Sequence, residues 1–142
     1  MIWFLDASAI TKRYVEEPGS PAVRRLFSPR VRRAASALSL VEVPAAVFRR
    51  ARGGDLAEEA AERIADRVPV DLESGEVVEP RSAVLALAAE LVARRPLRGY
   101  DAVQLASALR LARETRFALT FVCADRNLCR IARTEGIRAL RV

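Results

Sequence analysis

Histidine is absent from the sequence of 142 residues, and lysine occurs only once, at Lys12. Without histidine the chain has no Ser-His-Asp or Cys-His catalysis and no histidine-ligated zinc site. Lys12 lies in no GxxxxGK motif and no GxGxxG pattern occurs, which excludes a phosphate-binding P-loop and a dinucleotide fingerprint. Any catalytic chemistry must therefore rest on carboxylates.

Long apolar segments are absent as well. The longest, residues 83–91, contains Glu90 and is too short to span a bilayer, so no membrane association is expected. The first residues carry no basic region ahead of their apolar run, so no secretory signal is predicted and we expect a cytoplasmic protein. Cys123 and Cys129 match no zinc or redox spacing, and we expect two reduced, packed thiols.

The composition that remains is that of a folded protein with a strong positive charge. Hydrophobic residues make up 51% of the chain and charged residues 30%, and the length suits a single domain spanning residues 1–142. The net charge of +6 is carried almost entirely by arginine and favours polyanionic partners such as nucleic acid. Codon bias or thermal adaptation also produces arginine-rich sequences, so charge alone does not decide the function.

The order of apolar patterns predicts strands that alternate with helices. Continuous apolar runs at residues 2–5 and 120–123 are typical of strands buried on both faces, and further strands are predicted at 31–36, 70–72 and 137–142. Helices are predicted at 8–14, 22–27, 40–52, 56–68, 80–94, 100–114 and 126–135. This alternation indicates an α/β fold with a parallel sheet.

Four carboxylates are the candidates for chemistry. Asp6 and Asp125 each follow a predicted buried strand, and the ligands of open α/β sheets bind outside the carboxyl ends of the strands. Asp101 begins a helix and shares its apolar face, so we expect its carboxylate at the edge of the core. Glu42 shares a helical face with two alanines, which are small enough to let it approach the sheet.

Each acid also has a structural interpretation. The two aspartates that follow strands precede helices and could act as N-caps. Asp101 lies in a first turn, where a negative charge interacts favourably with the helix dipole. Glu42 could form an exposed ion pair with Arg49 or Arg50. If the four carboxylates converge on one pocket, however, they repel each other unless a cation or bound protons neutralise them. With only oxygen ligands available, Mg²⁺ or Mn²⁺ is the favoured cation.

Four segments, in order along the chain, resemble motifs of the VapC-type toxins of the PIN domain family. They are LDASA with YVEEPGS in residues 5–20, SLVEV at 39–43, LRGYDAVQLA at 97–106 and FVCADRNL at 121–128. Their order and spacing cover the chain from end to end. The sequence departs from the family at Cys123, where Thr or Ser is usual two residues before the last Asp, and thiol is the weaker hydrogen-bonding group.

The resemblance implies an α/β/α sandwich with a central, mainly parallel sheet flanked by helices. It implies a metal-dependent endoribonuclease that acts as the toxin of a toxin-antitoxin pair. By position, the acids that hold Mg²⁺ or Mn²⁺ are Asp6, Glu42, Asp101 and Asp125. Ser8 and Asn127 match secondary polar positions near the metal. The resemblance further implies an RNA substrate, a VapB-like antitoxin and a toxin homodimer.

Other interpretations remain open at the level of sequence. Arg98 and Arg126 flank two of the acids and could contact phosphates or be solvated surface residues. A haloacid-dehalogenase-like phosphatase also has an Asp after a hydrophobic strand, but its second Asp, two residues on, is Ser8 here. The non-enzymatic alternative is a basic nucleic-acid-binding module in which the acids are helix caps. Within the family, a free-standing nuclease and an inactive member are further alternatives.

Overall fold

Five strands that run in one direction form the central sheet, in a computed structural model that describes all 142 residues. The strands are β1 (Ile2–Leu5), β2 (Arg33–Ser36), β3 (Glu76–Val78), β4 (Leu119–Cys123) and β5 (Arg138–Arg141). Their order in the sheet is β3-β2-β1-β4-β5, and every adjacent pair is parallel. The parallel sheet expected from the sequence is confirmed.

Seven helices connect the strands and cover both faces of the sheet. They are α1 (Ala7–Tyr14), α2 (Ser20–Leu26), α3 (Ser39–Arg52), α4 (Glu58–Glu73), α5 (Ser82–Arg94), α6 (Gly99–Glu114) and α7 (Arg126–Thr134). Apart from α4 and β3, the observed elements lie within two residues of their predicted ends. None of the helices is both long and apolar enough to cross a lipid bilayer.

Two apolar cores lie on opposite faces of the sheet. The larger contains Phe4 and Phe121, whose ring centroids are 5.9 Å apart, and is covered by α5, α6 and α7. The smaller contains Leu5 and Val122 and is covered by α1, α2, α3 and α4. Because side chains alternate along a strand, neighbouring residues of β1 and β4 enter different cores. The fold is therefore the expected α/β/α sandwich.

The strand order changes direction beside β1. The chain moves outward from β1 to β2 and β3, and then returns to the other side of β1 to form β4. The helix that follows β1 covers one face and the helix that follows β4 covers the other. A crevice opens at such a switch point, outside the carboxyl ends of the two strands. Asp6 and Asp125 lie at these two ends.

The prediction of a strand at residues 70–72 is wrong. These residues continue α4 to Glu73, and the strand follows as β3. Pro69 suggests a break, but it is exposed, while Val68 and Leu72 lie one turn apart and both pack in the smaller core. Gly75 then joins helix to strand. A Cβ atom there would lie 2.9 Å from the carbonyl oxygen of Arg33, so β3 reaches β2 only with glycine at this position.

Asp71, near the end of α4, is a buried carboxylate that joins α4 to α1. Its Oδ2 accepts hydrogen bonds from Arg13 Nε at 2.7 Å and from the Tyr14 hydroxyl at 2.8 Å. Its Oδ1 accepts one from Arg67 Nε at 3.1 Å. Burial alone would raise the pKa of Asp71, but these hydrogen bonds and the two arginine charges hold the pKa below its ordinary value. The carboxylate is neutralised within the protein.

Candidate metal centre

Asp6 ends β1 and caps α1. Its Oδ1 accepts hydrogen bonds from Ser8 Oγ at 2.7 Å and from the Ala9 amide at 2.9 Å, so the N-cap interpretation is confirmed. Its Oδ2 accepts no hydrogen bond from the protein, although only 4% of the residue is exposed. The second oxygen is therefore available to a ligand.

The surroundings of Asp6 oppose its negative charge. Burial is the main cause and raises its pKa from 3.8 to about 7. The hydrogen bonds from Ser8 and Ala9 act in the opposite direction, and the neighbouring Glu42 and Asp101 raise the pKa further. A carboxyl with these properties is partly protonated at neutral pH, and binding of a cation displaces the proton.

Glu42 and Asp101 lie in the first turns of α3 and α6, and both are half-buried. The pKa of Glu42 is raised by burial and by Asp101, against a hydrogen bond from Gln104. The pKa of Asp101 is raised by burial and by Asp125, against the charge of Arg98. Each acid is thus electrostatically coupled to its neighbours. The sequence-based alternative of an exposed ion pair for Glu42 is not observed, since Arg50 pairs with Glu17 instead.

Asp125 caps α7 and is exposed at the carboxyl end of β4. Its Oδ1 accepts a hydrogen bond of 2.6 Å from the Leu128 amide, which again confirms the N-cap interpretation. It is close enough to Asp101 to affect its pKa. None of the four acids forms an ion pair with a basic side chain. In the conformation observed, however, no three of them are close enough together to coordinate one ion.

The two secondary polar residues have different surroundings. Ser8 Oγ donates to Asp6 and accepts a hydrogen bond of 2.9 Å from the Ala124 amide, so it joins the ends of β1 and β4. Asn127 does not contact the acids. Its Nδ2 donates to the Pro96 carbonyl at 3.4 Å, and its Oδ1 accepts from Arg130 at 2.7 Å. Ser8 thus lies within the site, whereas Asn127 connects α7 to the segment that precedes α6.

The arginines named from the sequence are both exposed. Arg98 is the N-cap residue of α6 and is close enough to Asp101 to lower its pKa. Arg126 is the first residue of α7, directly after Asp125. Neither forms an ion pair with a carboxylate, so both guanidinium groups are free to bind an anion at the rim of the site.

Cys123 and Cys129 are both buried, as expected. Their sulfurs lie next to each other between the end of β4 and α7, and the reduced state of the two thiols stays a prediction. Cys123 Sγ also lies 3.4 Å from the carbonyl oxygen of Asp125. Six residues separate the two cysteines, a spacing that matches no redox motif considered in the sequence analysis, so the adjacency of the two sulfurs was not predicted.

Gln104 is the residue of the site that sequence reasoning missed. It lies one turn after Asp101 in α6, is 1% exposed, and donates from Nε2 to Glu42 Oε1 at 3.2 Å. A signal was present: Gln104 is the only amide among the buried residues of the same helix. A buried amide on an apolar helix face needs a polar partner.

A divalent metal ion fits this group of residues by chemistry. The donors are carboxylate oxygens, which Mg²⁺ and Mn²⁺ prefer. No basic side chain neutralises them, and burial with mutual repulsion raises the pKa values of Asp6, Glu42 and Asp101. The fold and the site together define an α/β protein with an acidic centre suited to a cation at the switch point of a parallel sheet.

Comparison with known proteins places the chain in a family. The family model of the PIN domain matches residues 3–134. The chain therefore belongs to the PIN domain family, a family of nucleases, as its motifs indicated. A search of curated proteins found no significant match.

Solved structures share the fold at low sequence identity. PAE2754 from Pyrobaculum aerophilum is 25% identical, with a TM-score of 0.67 over 98% of this chain and 83% of that chain. VapC20 from Mycobacterium tuberculosis, described as a sarcin-ricin loop cleaving toxin, is 17% identical, with a TM-score of 0.70 over 99% of both chains. FitAcB from Neisseria gonorrhoeae is 15% identical, with a TM-score of 0.70 over 99% of this chain and 97% of that chain.

Proposed function

We propose that this chain is a Mg²⁺- or Mn²⁺-dependent endoribonuclease and the toxin of a toxin-antitoxin pair. The observation that carries the proposal is the acidic centre itself. A buried Asp6 without a basic partner lies at the switch point of a PIN domain, electrostatically coupled to Glu42 and Asp101. A carboxylate group arranged only for stability would be neutralised within the protein, as Asp71 is.

The proposed reaction is hydrolysis of an RNA phosphodiester. Water attacks the phosphorus in line, the bond to the leaving oxygen breaks, and the leaving oxygen takes up a proton. When bound, Mg²⁺ or Mn²⁺ lowers the pKa of a coordinated water and stabilises charge on the phosphoryl oxygens.

The residues of the chain bind and orient the participants. We assign Asp6, Glu42, Asp101 and Asp125 as the cation ligands, with Ser8 holding one oxygen of Asp6 in place. Arg98 and Arg126 contact neighbouring phosphates of the RNA at the rim of the site.

The substrate and partners are proposed from charge and from similar structures. RNA suits the net charge of +6, and the similar VapC20 is described as cleaving the sarcin-ricin loop. A structure from Klebsiella pneumoniae with a TM-score of 0.61 to this chain is a toxin-antitoxin complex, and one from nontypeable Haemophilus influenzae with a TM-score of 0.62 is VapBC-1. Both support an antitoxin as partner, and the second supports one of the VapB type. We also propose a homodimer of the toxin. Size measurements on the chain alone and with the co-expressed product of the neighbouring gene test both assemblies.

The decisive experiment is cleavage of total RNA by the purified chain with Mn²⁺, with Mg²⁺ and with EDTA. The variants Asp6→Asn and Asp101→Asn keep shape and remove charge. We expect each to lose more activity than the roughly 10- to 100-fold that loss of an outer-shell partner costs a metal site. Asp66→Asn, an exposed position of α4, is the matched control and should cleave like the wild type. Cleavage at wild-type rate by either site variant, or undiminished cleavage in EDTA, contradicts the proposal.

Binding measurements test the non-enzymatic alternative. A basic RNA-binding module with acids as helix caps would bind RNA without cleaving it and would bind no Mn²⁺ at neutral pH. Both helix caps are present at Asp6 and Asp125, but each uses only one oxygen of its carboxylate. Capping therefore leaves the other oxygen available and does not favour the module over the enzyme.

A further inference from the structure

Gln104 is a buried amide whose nitrogen has hydrogen-bond partners and whose oxygen has none. It lies in α6, and its Nε2 donates to two residues in the first turn of α3: Ser39 Oγ at 3.0 Å and Glu42 Oε1 at 3.2 Å. Its Oε1 is also buried but accepts no hydrogen bond. The side chain thus joins α6 to α3 through its nitrogen alone.

The orientation of the amide follows from the charge of its neighbour. With the amide rotated by half a turn, Oε1 would face the carboxylate of Glu42, and two acceptors would repel each other. Only the orientation with Nε2 toward Glu42 is favourable, because an amide nitrogen is a donor and a carboxylate accepts. The contact therefore fixes both partners.

Packing alone does not account for Gln104. A buried polar atom without a partner costs roughly 1–3 kcal/mol, and Oε1 is such an atom. Methionine has a similar volume and would fill the same space among Ala102, Leu105 and Ala106 without that cost. The feature that methionine lacks is the pair of N–H donors. These donors are the part of the side chain that contacts the acidic centre.

The contact matters to Glu42 because Gln104 is its only side-chain hydrogen-bond partner. A glutamate side chain has three rotatable bonds, and without a partner it samples many rotamers. Residues that hold a ligand in place are a general requirement of metal sites, and their loss typically weakens metal binding about 10- to 100-fold.

We infer that Gln104 is a positioning residue that holds the Glu42 carboxylate toward Asp101 and Asp6 and thereby strengthens cation binding. The inference rests on the proposed function, because it assumes that these acids bind a cation. It assigns to Gln104 no contact with the substrate or the ion.

The test is a double-mutant cycle that measures Mn²⁺ dissociation constants by electron paramagnetic resonance on the full chain. Gln104→Met removes the donors at similar volume and should weaken Mn²⁺ binding by about 10- to 100-fold. Glu42→Gln should also weaken it. If Gln104 acts through Glu42, the double variant binds Mn²⁺ as Glu42→Gln does, with no further loss.

A matched control and a second variant separate positioning from structure. Ser107 is buried one turn further along α6 and bonds only to the Val103 carbonyl, so Ser107→Ala should leave Mn²⁺ binding unchanged. Gln104→Asn keeps an amide but shortens its reach by one methylene, and should reproduce the loss if Gln104→Met does not fold. Unfolding in EDTA shows which variants are folded.

The outcomes distinguish this inference from the proposed function. If the wild type binds Mn²⁺ and Gln104→Met or Gln104→Asn binds it equally well, the positioning role is wrong while the metal site stands. Losses that simply add in the double variant also contradict it, because Gln104 then acts by another route. If the wild type binds no Mn²⁺, the proposed function fails and this inference fails with it.

Discussion

Asp6 and Asp71 are both buried carboxylates, but they differ in the charges that surround them. Each is 4% exposed, but Asp71 is bonded to Arg13, Tyr14 and Arg67, whereas Asp6 has no basic partner and has other acids nearby. Accordingly the pKa of Asp71 lies below its ordinary value and that of Asp6 is raised to about 7. A buried acid that the protein neutralises supports the fold, and a buried acid that it leaves unneutralised is ready for a cation from solution.

The largest expected effect on stability comes from Asp71. Asp71→Asn leaves the Arg13 guanidinium without its carboxylate, and breaking a buried ion pair in this way costs roughly 3–5 kcal/mol. Urea unfolding followed by circular dichroism measures the change. Arg67→Ala is the control: this partner is 59% exposed, so its loss should cost under about 1 kcal/mol. Equal stability of Asp71→Asn and wild type would mean that the two acids do not differ in the way described.

Addition of Mn²⁺ should stabilise the chain through one of the two acids only. At about 100 times its dissociation constant, a ligand that binds only the folded state adds about 2.7 kcal/mol to the free energy of unfolding. We expect this increase in the wild type and in Asp71→Asn, but not in Asp6→Asn. Urea unfolding with Mn²⁺ and with EDTA provides the measurement. Stabilisation that survives in Asp6→Asn places the cation elsewhere.

In EDTA, the two acids should give opposite pH dependences. The raised pKa of Asp6 means that its contribution is fully present below its ordinary value of 3.8 and is lost as the pH rises to about 7. The lowered pKa of Asp71 means that its contribution is present above 3.8 and is lost as the pH falls. Each unit of pKa difference corresponds to about 1.4 kcal/mol.

The measurement is the free energy of unfolding from about pH 2 to about pH 8, for the wild type, Asp6→Asn and Asp71→Asn. Relative to Asp6→Asn, the wild type should lose stability with rising pH, and relative to Asp71→Asn it should gain stability. If both stability differences changed in the same direction with pH, the surroundings of the two carboxyls would be alike.

The smallest expected effect concerns the arginines near each acid. Arg98→Ala or Arg126→Ala should weaken RNA binding and reduce the slope of log affinity against log salt by about one. Arg67→Ala, beside Asp71, should leave the slope unchanged. Fluorescence anisotropy with a labelled RNA and the inactive Asp6→Asn background measures both quantities. An equal change in all three variants would indicate that RNA binding depends on total positive charge and not on the two arginines at the rim of the site.

The parts of the fold that depend on local pattern were predictable from the sequence. β1 and β4 are continuous apolar runs that end near an aspartate, and the rule for parallel sheets places those two ends together. The strand at residues 70–72 was wrong because Pro69 suggested a break, whereas contacts distant in sequence continue the helix: Leu72 packs in the core and Asp71 bonds to α1. Tertiary contacts of this kind cannot be read from a local pattern.

The candidate site was predictable to a similar degree. The resemblance and the strand ends indicated the four acids, and the structure shows which of them are buried and coupled. Gln104 was missed because its role depends on Ser39 and Glu42, which lie more than 60 residues away in sequence. The resemblance predicted that Asn127 lies near the acids, but its side chain is hydrogen-bonded to Pro96 and Arg130.

Only one of the two carboxylate oxygens of Asp6 caps α1, and this division between the oxygens has a practical consequence for work with a toxic protein. Oδ1 caps α1, and asparagine can cap a helix equally well through its own oxygen. Asp6→Asn should therefore fold normally, and under the proposed function it is harmless to the producing cell. Such a chain can be made in quantity without an antitoxin, and its folded surface can serve as bait to isolate the partner from the native host.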